Sequence, residues 1–250
     1  MHNTTSAVID ETGTHVLDNA AWHSLTGPLV GFATTDGTRA RRFRPDVSPM
    51  VGIQYPTDAD TWTELHALVG NDAVAISLEP GTSTPEGWDV LDRFTLHQLT
   101  DDDVADSLAA IATTPLDPSL ELVRLGEADA AAMIELVART EPGPFLDRTI
   151  EVGAYFGVKA DGVLVAMAGE RLRPAGWTEI SAVCTAPEFR GRGLAARLVL
   201  AVTEHVHSRG DRAFLHVIDG NPAQALYERL GFRRRADIEI TFMQVVDGAR

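Results

Sequence analysis

The 250-residue chain carries 36 acidic against 21 basic side chains, a formal charge of −15, so it lacks the basic footprint that nucleic acid requires, and the acid excess reads as a solubility device. A composition of 44% hydrophobic and 23% charged residues is that of an ordinary globular protein with a real core, in one large domain or two small ones. The single cysteine, Cys184, excludes an internal disulfide framework and fits a reducing cytosol.

The opening stretch MHNTTSAVIDETGTHV has neither the basic nor the apolar part of a signal segment. No uninterrupted apolar run approaches the roughly 20 residues of a membrane span. A cytoplasmic protein with no membrane partner is expected. A helix is predicted over Val16–Leu25, an Arg-rich turn into a strand over Arg39–Gln54 and a helix over Ala59–Val69. Strands follow at Ala73–Ser77 and Trp88–Leu99. The stretch Asp101–Glu121 opens polar and ends in a Pro-containing segment, the pattern of a linker.

Beyond it the pattern sharpens. LELVRL, Leu120–Leu125, predicts a strand, and Glu127–Thr140 a helix that stops before Pro142. GAYFGVKADGVLVAMAGERL predicts a hairpin turning at Asp161-Gly162. Trp177–Ala186 reads as a buried strand, followed by a glycine turn and a long helix ended by Gly210. Ala213–Asp219 is a further strand, NPAQALYERLGF a short helix ending at Gly231, and IEITFMQVV a last strand. The order β-α-β-β-β-α-β-α-β predicts a compact α/β domain over 119–250, preceded by a second α/β half over 1–118. His205 and His207 lie two apart and point in different directions on a helix, so no metal is expected.

The stretch PEFRGRGLAARLVLAV, Pro187 to Val202, sets arginines around two glycines at the mouth of an apolar helix. The first turn of a helix leaves N–H groups unpaired, and the helix dipole adds roughly half a positive charge there. Gly191 and Gly193 remove the Cβ atoms that would hold a phosphate away from those groups. Arg190, Arg192 and Arg197 supply the local positive charge that the acidic chain otherwise lacks. A phosphate or pyrophosphate site is the expectation; a glycine turn with solvated arginines is the alternative. A P-loop is excluded, because no Gly-Lys-Ser/Thr follows. The Rossmann fingerprint is matched only in part, through Ala196, and the neighbouring hairpin does not suit it.

The run V-C-T-A-P-E-F-R-G-R-G-L-A resembles the acyl-CoA motif R/Q-x-x-G-x-G/A of the GNAT superfamily of N-acetyltransferases, filled by Arg190, Gly193 and Ala195. The run from Asn221 to Phe232 resembles the second signature of that superfamily, and the element order of 119–250 matches throughout. The resemblance implies a mixed, largely antiparallel central sheet flanked by helices. It looks closest to the branch shared with glycine N-acyltransferases, in which a degenerate GNAT-like half comes first and helps to shape the acceptor site or a homodimer. It implies acetyl-CoA as co-substrate and an amine as acceptor. Main chain at Val183, Cys184 and Thr185 is then expected to pair with the pantetheine arm. The N–H groups of Gly191, Arg192, Gly193, Leu194, Ala195, Ala196 and Arg197 are expected to hold the pyrophosphate, with a contact from Asn221.

A lysine-like amine is neutral in only about one molecule in 2,500 at pH 7, a deficit of roughly 4.6 kcal/mol. Transfer to it therefore calls for a general base. Two positions match bases of different branches: Glu179, at the start of the motif strand, and His216, five residues before Asn221. Histidine suits this work by its ordinary pKa near 6.5. Tyr227 matches the tyrosine that protonates the leaving thiolate. Here the spacing from Asn221 to Tyr227 is six residues where the family usually has seven, which Pro222 absorbs if Asn221 caps the helix. Cys184 reads as a buried structural thiol. The run Arg233–Arg235 reads as a solvated strand start, with the 3′-phosphate of CoA as its alternative. An acyl-CoA-binding regulatory protein without turnover is the competing function.

Overall fold

Short runs of β-branched and apolar residues, punctuated by turn dipeptides, build ten strands that join in one continuous sheet. The computed structural model describes residues 8–10, 13–34 and 37–246. Part of the opening stretch discussed above therefore lies outside the described residues. The strands are β1 (Ala40–Arg42), β2 (Met50–Ile53), β3 (Val74–Ser77), β4 (Trp88–Thr100), β5 (Leu120–Leu125), β6 (Tyr155–Ala160), β7 (Val163–Glu170), β8 (Trp177–Thr185), β9 (Arg212–Ile218) and β10 (Arg233–Val245). The helices are α1 (Ala20–Leu25), α2 (Ala59–Val69), α3 (Ala105–Thr113), α4 (Ala130–Thr140), α5 (Leu194–Ser208) and α6 (Ala223–Arg229). Among the described residues no helix is long and apolar enough to cross a membrane.

The strand order is β1-β2-β3-β10-β4-β9-β8-β7-β6-β5. All pairings are antiparallel except β2 with β3 and β8 with β9, each joined by a crossover helix, α2 or α5. The N-terminal half thus repeats, in shortened form, the strand-strand-helix-strand order of the C-terminal half. Strand β4 leaves its own half and pairs with β9 on one edge and β10 on the other. Strand β10 in turn reaches back to β3. Each half completes its sheet with a strand of the other.

Helix α5 packs on the sheet through Leu194, Leu198, Val199, Val202 and Val206, all buried and at helical spacing. The hairpin of β6 and β7 turns at Asp161 and Gly162 with φ of 50° and 80°, the left-handed pair that this turn demands.

Two expectations need correction. The stretch Asp101–Glu121 is not a plain linker, because it carries α3, whose Leu108 and Ile111 pack on the C-terminal core. Its polar opening is also anchored: buried Asp101 accepts hydrogen bonds from Arg212, His207 and the Ala213 N–H. The segment Arg39–Gln54 forms two strands and an intervening turn rather than one strand.

The turn from α6 into β10 presses against the end of β4. Gly231 has φ of 97°, and a Cβ there would lie 2.1 Å from the Asp103 carbonyl oxygen. Gly231→Ala is expected to cost roughly 2–5 kcal/mol by combined strain and clash. Gly210→Ala has a similar φ of 84° but open space, and should cost only about 1–2 kcal/mol. Urea denaturation checks the contrast; equal losses would mean that this contact does not hold the strand exchange together.

Candidate active site

Strands β8 and β9 pair only from Trp177–Arg212 to Ile180–Leu215, then diverge. Opposite β7, two residues of β8, Ala182 and Val183, face Ala168 alone, a bulge in which Ala182 takes a left-handed φ of 52°. Together the splay and the bulge free one backbone edge of β8 from Ser181 to Thr185. On its other edge β9 pairs with β4, from Phe214–Thr100 to Ile218–Leu96, alongside and beyond the fork. A cavity of about 630 Å³ fills the gap. One wall is β8 with Asn221 and Tyr227; the other comes from Met50, Phe94, Ile240 and Phe242.

Arg190, immediately before the glycine turn, lines this cavity. Gly191 and Gly193 have φ of 76° and 75°, so they are needed for their backbone shape. A Cβ at either would meet nothing within 4 Å, leaving this exposed surface open to a ligand. The Arg197 N–H is already bonded to the Gly193 carbonyl at 3.1 Å, and its side chain donates to Thr114. Arg197 therefore brings no free N–H to the turn, whereas the four residues before it, Gly193 to Ala196, start the helix without intrahelical partners. Arg190 donates to the Thr185 carbonyl, and Arg192 lies 4.8 Å above the Phe189 ring. Thr185 lines the cavity with a buried hydroxyl that has no partner. Asn221 accepts the Ala223 N–H at 2.9 Å, the cap that the shortened spacing calls for.

Glu179 and His216 come together, but at different depths. Glu179 is fully buried and does not line the cavity. Its carboxylate accepts from Arg171 Nε and Nη2 at 2.8 and 2.5 Å, from the Leu172 N–H, and from His216 Nδ1 at 2.7 Å. Burial pushes this carboxyl up, but the Arg171 charge and hydrogen bonds, with His216, outweigh it and hold Glu179 at about 2. His216 lines the cavity, and its Nε2 lies 3.0 Å from the Gln98 amide nitrogen. The Gln98 amide oxygen accepts from Arg235, which fixes its nitrogen as the donor and places the imidazole proton on Nδ1. Burial lifts the Tyr227 hydroxyl to about 12 and raises the Cys184 thiol in the same cavity.

Arg171 and Gln98 escaped the reading of the sequence. Arg171 was detectable in principle: eight residues before Glu179 across the Pro174–Gly176 turn, the two form an opposite-charge pair across a hairpin. Gln98 had no local signal, since β4 reaches the site only through the strand exchange. Arg233 and Arg234 pair with Asp103 and Asp237, and Arg235 pairs with Asp18 and Gln98. Among the described residues, no group of three or more His, Cys, Asp or Glu side chains is gathered for a metal.

Comparison with known proteins agrees with this architecture. Residues 155–240 match the FR47-like protein family. A GNAT-family structure from Novosphingobium aromaticivorans is 35% identical, with 93% of this chain and 99% of that chain covered and a TM-score of 0.79. A GCN5-related N-acetyltransferase from Kribbella flavida shares the fold at 16% identity, over 91% of this chain and 96% of that one, with a TM-score of 0.62. A tandem GNAT protein from the clavulanic acid biosynthesis pathway does so at 16% identity, over 84% and 79%, with a TM-score of 0.56. None of the curated proteins matches the sequence.

The low folded pKa of Glu179 makes an acid-stability prediction. Its contribution is present above the unfolded carboxyl value near 4.5 and is lost as pH falls through about 2. Glu179→Gln, which leaves the half-buried Arg171 without a counter-charge, should cost about 3 kcal/mol at pH 7. Urea midpoints across this range should show the gap between wild type and variant closing towards pH 2. A gap independent of pH would mean that the carboxylate charge does not stabilise the fold.

Proposed function

The chain belongs to the GNAT family, and from that premise we propose that it is an N-acyltransferase moving an acetyl group from acetyl-CoA to an amine by direct transfer. The observation that carries this reading is the unpaired β8 edge, Ser181–Thr185, lining one cavity together with Tyr227 and with Arg190, the residue before the glycine turn. An extended pantetheine arm suits such an edge, because it can add as a strand. The unpartnered Thr185 hydroxyl and the free N–H groups from Gly191 to Ala196 suit polar and diphosphate groups. In this proposal residues 119–250 carry the chemistry, and residues 1–118 supply strand β4 and, with Met50 and Phe94, part of the second wall of the cavity. The repeated β2-α2-β3 unit supports placing the chain in the branch shared with glycine N-acyltransferases, and a cytoplasmic setting goes with it.

The chemistry balances as follows. The amine lone pair attacks the thioester carbon, a C–N bond forms and the C–S bond breaks. The nitrogen loses one proton and the thiolate gains one. His216 is the group placed to take the first, at Nε2, once the Gln98 N–H turns aside; Glu179 acts behind it, orienting the ring and stabilising the imidazolium. Glu179 itself stays ionised through its Arg171 pair and is sealed from the cavity, so it is the positioning residue of the two. Tyr227 gives the second proton. Burial raises Tyr227 and Cys184 alike, and would push a departing thiol in the same cavity in the same direction, which favours its protonation. Main-chain N–H groups along β8 are placed to stabilise the oxyanion.

One observation favours a second reading, an acyl-CoA-binding protein without turnover: the Nε2 lone pair of His216 is occupied by Gln98. Thiol release from acetyl-CoA against a panel of amines separates the two. For the enzyme, Tyr227→Phe should lower kcat by about 10–100-fold and His216→Ala by about 100-fold, with acetyl-CoA binding changed less than twofold. Binding without thiol release by the wild type would favour the binder. Full turnover in Tyr227→Phe would remove the tyrosine from the mechanism.

A further inference from the structure

The cavity holds a cation with one nitrogen that this mechanism leaves unused. Arg171 spends Nε and Nη2 on Glu179, and no partner for Nη1 occurs among the described residues. Nη1 is not one of the buried polar atoms lacking a partner, so it keeps access to open space. The side chain lines the cavity and is 25% exposed. Arg171 Nη2 and His216 Nδ1 approach the same Glu179 oxygen, at 2.5 and 2.7 Å, so guanidinium and imidazole sit a few ångström apart. The same cavity has an apolar part, lined by Met50, Phe94, Leu96, Ile240 and Phe242, with the two phenylalanine rings 5.9 Å apart. The other cation of the cavity, Arg190, is tied to the Thr185 carbonyl at the glycine turn. In a chain of net charge −15, an arginine facing inward beside an apolar wall selects for an anion that the overall field would repel.

We infer that the acceptor is an amino acid with an apolar side chain. Its carboxylate pairs with Arg171, its amine faces His216, and its side chain lies against Phe94 and Phe242. This rests on the acyl-transfer reading and deepens it. An α-amino acid carries its nitrogen and carboxylate one carbon apart, which suits a guanidinium and an imidazole that share one Glu179 oxygen. The products are an N-acetyl amino acid and free CoA thiol, so the atoms balance as in the general reaction. A small acceptor such as glycine would leave the apolar wall bare. A charge-assisted hydrogen bond from a partly desolvated guanidinium distinguishes a carboxylate from a neutral group by about tenfold or more.

The test uses the wild-type full chain. Thiol release from acetyl-CoA is measured with phenylalanine, leucine, glycine, phenylalaninamide and 2-phenylethylamine, beside calorimetric titration of acetyl-CoA alone. Phenylalanine and leucine should exceed glycine, phenylalaninamide and 2-phenylethylamine by at least about tenfold in kcat/KM, mainly through KM. Arg171→Lys, checked for folding by its thermal transition, should narrow the gap between phenylalanine and 2-phenylethylamine; the wild-type comparison stands even if this variant fails to fold. Equal or better use of the amines without a carboxylate overturns the inference. So does acetyl-CoA binding with none of the five acceptors acylated. A preference for succinyl-CoA over acetyl-CoA with 2-phenylethylamine overturns it too, because Arg171 would then be reading the acyl group. No binding of acetyl-CoA is a different failure, that of the acyl-transfer reading itself.

Discussion

A single buried carboxylate organises the centre of this molecule. Glu179 lies in the short stretch where β8 still pairs with β9, immediately before the two strands part. Removing such a charge from water costs several kcal/mol unless it is fully partnered. Here Arg171, the Leu172 N–H and His216 all converge on it. Those bonds tie the end of β7, the start of β8 and the middle of β9 together at the fork. The strands can diverge because the residues at the base of the fork are so firmly joined.

The same network runs on into the N-terminal half. His216 meets Gln98 of β4, Gln98 meets Arg235 of β10 and the Leu17 carbonyl, and Arg235 meets Asp18. A polar chain therefore crosses four strands of the sheet beneath the cavity. This gives a physical reason for the exchange of β4 and β10 between the halves. β4 closes the edge of β9 that faces away from the fork, and carries Phe94 and Leu96 to the cavity and Gln98 to His216. The N-terminal half has its own parallel unit, but Asp58 caps α2 and Asp60 follows in its first turn. Acidic side chains there suit the helix dipole and repel a phosphate, whereas α5 begins with glycine and arginine.

How much of this could be read in the chain follows the range of the forces involved. The helix Ala59–Val69 and the strand Leu120–Leu125 have the same bounds in the sequence and in the structure, because caps, periodicity and turn residues are local. Gly191 and Gly193 were legible as the turn into α5 for the same reason. Helix α3 was hidden by the acids before it, since Asp101 looks solvated until Arg212 is brought across from β9. The roles of Glu179 and His216 were not separable in one dimension. Their order of depth depends on Arg171, and the state of His216 depends on Gln98, more than a hundred residues away and delivered by a strand exchange that no local pattern announces.

The most direct test of the account is a crystal structure of the full chain grown with acetyl-CoA. The account predicts the diphosphate on the N–H groups between Gly191 and Ala196, the pantetheine arm along the free edge of β8, and the thioester sulfur beside the Tyr227 hydroxyl. Acetyl-CoA bound elsewhere on the chain, with the fork between β8 and β9 empty, would contradict it.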